Sequence, residues 1–125
     1  MIHGAAKAAV NHLTRCVAME LGEHNVRVNS VSPGPIATGI LGMALGMERA
    51  HAEGAAMFRE NLAKAQPIPR AGIPDDIAQC ALWLASDRST FVHGADIVID
   101  GGAIGGRNYS QHQEGLKLVK AALGL

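Results

Sequence analysis

The sequence predicts an α/β fold of two parallel strands with flanking helices and a helical lid. Three observations predict it. Apolar residues at helical spacing alternate with short β-branched runs, in the order helix, strand, lid, helix, strand. Aromatic residues are only 3% of the 125, with alanine and 15 glycines in their place, which suits helices packed closely on a sheet better than a β-sandwich. A helix separates the two strand-like runs, so a right-handed crossover joins them in parallel.

Composition excludes several classes. A chain of 125 residues holds one domain. Its 11 basic and 11 acidic side chains balance, and no block of like charge stands out, so neither nucleic acid nor an anionic membrane is a natural partner. Hydrophobic residues at 48% argue against disorder, and the apolar runs are too short and too often interrupted by charge to span a bilayer. Lys7 sits within the N-terminal alanines where a signal peptide would need an apolar stretch, so the expected location is cytoplasmic.

The elements follow in order. Residues 4–23 form a helix whose buried stripe is Ala6, Val10, Leu13, Val17 and Leu21, with Gly22 and Asn25 able to end it. Residues 26–31 alternate apolar and polar as a strand, and Ser32-Pro33-Gly34-Pro35 stops it. Residues 36–66 are rich in Ala, Met and Gly. Gly39, Gly42, Gly46 and Gly54 interrupt them, while residues 48–64 suit one or two short helices. So long a connection reads as a lid, at about residues 39–66.

Leu41, Met43, Leu45, Met47, Met57 and Phe58 give that lid an adaptable apolar lining, for a bulky apolar substrate or simply for packing on the sheet. Pro74-Asp75-Asp76 starts the next helix, since proline has no N–H to lose in the first turn and the aspartates complement the helix dipole. Ile77, Cys80, Ala81 and Leu84 are its inner stripe. Residues 95–99 form the second strand, ended by Asp100-Gly101-Gly102. In the tail the last ten residues suit a short helix with Leu116, Val119, Ala122 and Leu123 as its stripe.

Cys16 and Cys80 form no CxxC pair and read as buried free thiols in a reducing compartment. His12, His24, His51, His93 and His112 show no metal-ligand spacing and read as surface or capping residues, so no metal site is expected.

Four motifs go further. They are Gly4-Ala5-Ala6-Lys7-Ala8-Ala9-Val10 with Leu13-Thr14-Arg15, Arg27-Val28-Asn29-Ser30-Val31-Ser32-Pro33-Gly34-Pro35-Ile36-Ala37-Thr38, Pro69-Arg70-Ala71-Gly72-Ile73-Pro74-Asp75-Asp76-Ile77-Ala78, and Val98-Ile99-Asp100-Gly101-Gly102. In this order and spacing they resemble the short-chain dehydrogenases/reductases, from residue 1 to about 104, leaving 105–125 as a tail. The resemblance implies the C-terminal portion of a Rossmann-type doubly wound parallel sheet. The family's Gly-rich dinucleotide turn, about four strands and its catalytic serine would precede the first helix. Gly101-Gly102-Ala103-Ile104-Gly105-Gly106 is no substitute for that turn: it lacks the GxGxxG spacing and no helix start follows.

The resemblance also assigns a site. The family places Tyr-x-x-x-Lys on one helical face. The tyrosine passes a proton to or from the substrate oxygen, and the lysine lowers the tyrosine's pKa and holds the nicotinamide ribose. Lys7 matches the lysine, while His3 replaces the tyrosine with a group that can also move protons near neutral pH. Lys7, Pro33, Gly34, Ile36 and Thr38 are the cofactor-binding candidates: the backbone at Ile36 would bond the nicotinamide carboxamide and Thr38 the pyrophosphate. By family, the function is NAD- or NADP-dependent interconversion of hydroxyl and carbonyl groups on a small apolar alcohol or ketone, in a homo-oligomer. The chain alone is expected to be inactive. The competing expectation is a truncated, non-catalytic fragment serving as an oligomerisation or interaction module.

Overall fold

The computed structural model describes residues 2–44, 46, 56–64, 66–106 and 108–124. In chain order the elements are α1 (Ile2–Leu21), a 3-10 turn (Gly22–His24), β1 (Ser30–Pro33), α2 (Gly39–Ala44), α3 (Ala56–Lys64), α4 (Pro74–Ala85), a second 3-10 turn (Asp87–Ser89), β2 (Asp96–Ile99) and α5 (Tyr109–Ala122). They belong to two compact units. One comprises Met1–Gly34 with Ile73–Ile99, the other Pro35–Gly72 with Asp100–Leu125.

The first unit holds the sheet. β1 and β2 pair in parallel, Ser30 opposite Asp96 and Pro33 opposite Ile99, and α4 lies between them in the chain as the crossover. Its N-terminus carries Pro74 at the first position, and the Asp76 carboxylate accepts from the Ile73 N–H at 2.8 Å. Ile77, Cys80 and Leu84 are half-buried as the stripe requires, whereas Ala81 is exposed.

β1 starts four residues later than the alternation suggests and runs through Ser32 and Pro33. The reason lies in its partner. Gly94 takes φ +66°, which bends the chain before β2: its N–H still donates to the Val28 carbonyl at 2.8 Å, but residues 26–29 form no regular ladder. Side chains bridge the gap. The Val28 N–H donates to His93 Nδ1 at 3.1 Å. Asn29 donates through Nδ2 to the Val92 carbonyl at 2.9 Å and accepts at Oδ1 from the Ala95 N–H at 3.0 Å. Arg27 donates to Ser89 Oγ and to the Leu84 and Ser86 carbonyls, tying this segment to the end of α4. His93, expected as a surface or capping residue, is thus a bridge: its Nε2 stands 2.7 Å from the Ala18 carbonyl.

α1 packs through a different line of residues from the one its apolar spacing suggests. Ala18 is 1% exposed, with Asn11, Thr14, Val17 and Leu21 half-buried around it, while Ala6 is exposed, Val10 is 51% exposed and Leu13 60%. Asn11 Nδ2 donates to Asp96 Oδ2 at 2.8 Å, and the Ala18 methyl faces Gly94, where an added Cβ would come within 3.4 Å. A polar partner in β2 and a bare glycine therefore set the helix rotation. Of the two residues proposed to end α1, Asn25 takes the left-handed conformation (φ 58°), while Gly22 continues into the 3-10 turn. Cys16 is exposed and Cys80 half-buried, so the buried-thiol expectation fails: the face of α1 that bears Cys16 is turned outward.

In the second unit Gly39 and Gly42 sit inside α2 rather than breaking it. Residues 48–55, with Gly54 and His51, lie outside the described residues, as do Leu45 and Met47 and the side chains of Leu41, Met57 and Phe58. Met43 is exposed. α5 begins at Tyr109, well before the last ten residues, and Leu116, Val119 and Leu123 on its stripe are exposed.

Candidate functional site

His3 and Lys7 stand in the first two turns of α1, one turn apart on one face, both exposed. Among the described residues neither has a hydrogen-bonding partner. Lys7 shares its face with Asn11 one turn on, and Asn11 is fastened to Asp96. Asp96 in turn accepts from Ser30 Oγ at 3.0 Å and Ser32 Oγ at 2.7 Å. This Asn11–Asp96–Ser30–Ser32 cluster escaped the sequence reading. Its trace there is the i, i+2 placement of two serines on one face of a strand. Pro33 ends β1, and the Gly34 N–H donates to the Ile99 carbonyl at 2.9 Å.

Ile36 and Thr38 belong to the second unit and are half-buried. Ile36 forms an isolated parallel bridge with Gly72. The Ala37 N–H donates to the Gly72 carbonyl at 2.8 Å, and the Gly72 N–H donates to the Pro35 carbonyl at 3.2 Å. The bonds flank Ile36 and leave its own N–H and C=O without a partner among the described residues. Gly72 permits this closeness, since a Cβ there would lie 2.5 Å from Ile36 Cδ1 and 3.0 Å from the Pro35 oxygen.

The Gly-rich turn after β2 closes on Asp100. Asp100 Oδ2 accepts from the Ile104 N–H and Oδ1 from the Gly102 N–H, each at 2.8 Å. These two bonds, Ile104's the stronger influence, hold the Asp100 carboxyl below its ordinary pKa. A cavity of about 660 Å³ in the first unit opens beside Asn25, Arg27 and Phe91 and includes none of the predicted site residues. No group of three or more His, Cys, Asp or Glu side chains able to hold a metal occurs among the described residues. His12 Nε2 lies 3.7 Å from Cys16 Sγ, one turn on along α1. Among the described residues no helix is long and apolar enough to cross a membrane.

A family model described as Enoyl-(Acyl carrier protein) reductase matches residues 1–103. The chain is 39% identical over 100 residues to the uncharacterized oxidoreductase YxbG of Bacillus subtilis, covering 80% of this chain and 36% of that protein. It is 40% identical over 100 residues to the peroxisomal 2,4-dienoyl-CoA reductase of Mus musculus, covering 80% and 32%. Among solved structures, a 4-hydroxyisoleucine dehydrogenase mutant complexed with NADH and succinate superposes with a TM-score of 0.67 at 36% identity, over 83% of this chain and 40% of that one. The chain thus spans about a third of the length of the curated relatives it matches. The parallel β1–α4–β2 unit, the motifs along it and these likenesses together show that the chain belongs to the short-chain dehydrogenase/reductase family of oxidoreductases.

Proposed function

We propose that this chain carries the nicotinamide-side portion of an NAD- or NADP-dependent oxidoreductase that interconverts a hydroxyl and a carbonyl group on a small apolar substrate. The observation that carries the reading is the backbone N–H and C=O of Ile36, unpaired among the described residues and held in place by bonds on either side. A primary carboxamide offers the complementary acceptor and donor. A bound nicotinamide dinucleotide would supply or accept the hydride. Pro33 and Gly34 would shape the approach to the ring, Thr38 Oγ1 would donate to the pyrophosphate, and Lys7 Nζ would donate to the ribose hydroxyls. His3, one turn before Lys7, would give or take the proton at the substrate oxygen. The free thiols fit a reducing compartment such as the cytoplasm.

The residues present supply only part of such a site, so the chain alone has little or no dehydrogenase activity in this reading. Amide NMR tests it. Millimolar NADH or NADPH should shift the Ile36 and Thr38 amides and leave Val28, whose N–H is already bonded, unmoved. Absence of any shift at Ile36 would refute the cofactor assignment, and micromolar affinity by calorimetry would refute the inactivity of the chain alone.

A second reading, self-association, is favoured by one specific observation: Phe91 is fully exposed, and Leu13, Met19 and Leu82 are largely so. Burying a few hundred Å² of such surface is worth many kcal/mol at about 25 cal/mol per Å². Sedimentation at micromolar concentration should show a homo-oligomer, and a cooperative 13.0 kDa monomer would sink this reading.

A further inference from the structure

Two opposite charges of the first unit stand close in the fold and do not pair. Arg27 bonds to the residues on either side of Asp87: Nη2 donates to the Leu84 and Ser86 carbonyls at 2.7 and 3.2 Å, and Nη1 donates to Ser89 Oγ at 3.0 Å. Those bonds use three of its five N–H groups. The Nε–H and one Nη1–H have no partner among the described residues, and the Asp87 carboxylate has none either. Both residues line the hollow of about 660 Å³, together with Asn25 and Thr90, whose side chains are also unpartnered among the described residues. Val26, 46% exposed, and the fully exposed Phe91 give it an apolar wall. The hollow lies at the N-terminal ends of the strands, since residues 25–27 lead into β1 and residues 90–93 into β2. Pro33 and Gly34 stand at the other end of β1, so the hollow is independent of the cofactor reading.

We propose that this hollow binds a small zwitterion with an apolar body, of the class of an aliphatic α-amino acid. The ligand carboxylate accepts from the two remaining N–H groups of Arg27, and its ammonium donates to the Asp87 carboxylate. Its hydrocarbon part lies against Val26 and Phe91, whose ring face also attracts an ammonium. Thr90 Oγ1 and the Asn25 amide, which donate or accept as required, serve either end. A ligand with a single charge satisfies only half of this arrangement. An anion meets the Asp87 carboxylate, and a cation meets the guanidinium, so each is opposed by the group it does not neutralise. Few polar groups converging on a concavity with an apolar wall is the general form of a small-molecule site.

NMR titration of the full chain with millimolar L-leucine gives a direct test. The Thr90 amide and the Arg27 Nε–H should shift, while the Ile36 and Thr38 amides stay unmoved. Two analogues separate the charges: 4-methylpentanoate lacks the ammonium and isoamylamine lacks the carboxylate. Each should bind about tenfold or more weakly than leucine, the effect of losing one charge-assisted hydrogen bond. Asp87→Asn should weaken leucine by a similar factor and leave 4-methylpentanoate bound no less tightly than in the native chain. Asp87 is exposed and holds no other group among the described residues, so the variant keeps the fold, which the unchanged Ser30 and Asp96 amide shifts verify. Absence of leucine-induced shifts at Thr90 and Arg27 would overturn the proposal. So would an analogue that binds as tightly as leucine, or an unchanged leucine affinity in Asp87→Asn.

Discussion

Replacing Gly72 with alanine drives a methyl group into the Ile36 side chain. The added Cβ would stand 2.5 Å from Ile36 Cδ1 and 3.0 Å from the Pro35 carbonyl oxygen. The first contact can be relieved by turning the end of a flexible side chain. The second is to backbone and forces apart the strands of the bridge that the Ala37 and Gly72 amides close at 2.8 and 3.2 Å. Overpacking of this kind costs about 1–3 kcal/mol. Alanine recovers roughly 0.4–1 kcal/mol by restricting the unfolded chain, so the net loss should be about 1–2 kcal/mol.

The two contacts can be separated. Ile36→Val deletes Cδ1, and at this half-buried position should cost about 0.5 kcal/mol by itself. In the double variant the valine removes the closer contact and leaves the Pro35 one, so the two changes should be coupled in the favourable direction by part of the overpacking cost, up to about 1 kcal/mol. Urea denaturation of the four proteins completes the cycle, and the Ile36 amide shift with NADH reports on the platform in each. A neutral or stabilising Gly72→Ala, or strict additivity in the cycle, would refute the claim that this glycine exists to let residues 35–37 approach.

Further tests follow from the first unit and from the turn after β2. Arg27→Lys keeps the charge but not the fork that reaches Ser89 Oγ and two carbonyls, and should lose about 1–2 kcal/mol in a denaturant titration, most of the loss of Arg27→Ala. Asp96→Ala removes the acceptor shared by Asn11, Ser30 and Ser32 and should cost about 2–3 kcal/mol, with faster hydrogen exchange along α1 as its signature. Asp100 has a depressed pKa when folded, so its contribution is complete above the ordinary value of 3.8 and disappears as pH falls through the lower folded value. Asp100→Asn should therefore flatten the acid limb of a stability–pH profile in that window and leave the rest of the curve parallel.

The motifs that define the family were legible because they are local: a crossover helix started by proline and two aspartates, a β-branched run, a strand closed by Asp-Gly-Gly. α4 accordingly runs where its sequence signals place it, Pro74–Ala85. What a linear reading misses is set by contacts distant in sequence. The start of β1 depends on Gly94, 64 positions after Ser30, where the backbone turns before β2. The outward orientation of Cys16 depends on Asp96, 80 positions later. The pairing of Ile36 with Gly72 likewise joins segments 36 positions apart. None of these leaves a periodic trace, since each is a single contact between one polar or unsubstituted position and another.

The setting of α1 shows how such a contact reaches the site. Asn11, Thr14 and Ala18 pack beside Val17 and Leu21, which keep their expected places, so the packed face is turned from the expected stripe by part of the ~100° that separates neighbouring residues. Had the apolar stripe faced the sheet, Lys7 would be turned away by that angle. Instead Lys7 lies on the line of Asn11, whose amide is anchored 2.8 Å from Asp96. Lys7 has no partner of its own among the described residues to fix its direction. A buried hydrocarbon stripe would have tolerated small rotations, because apolar contact is non-directional. A hydrogen bond to a carboxylate held by two serines does not. The helix has left Val10 and Leu13 exposed in this unit and has gained a defined rotation about its axis. Asp96 is therefore the residue through which the sheet sets the rotation of α1, and with it the helix face on which Lys7 stands.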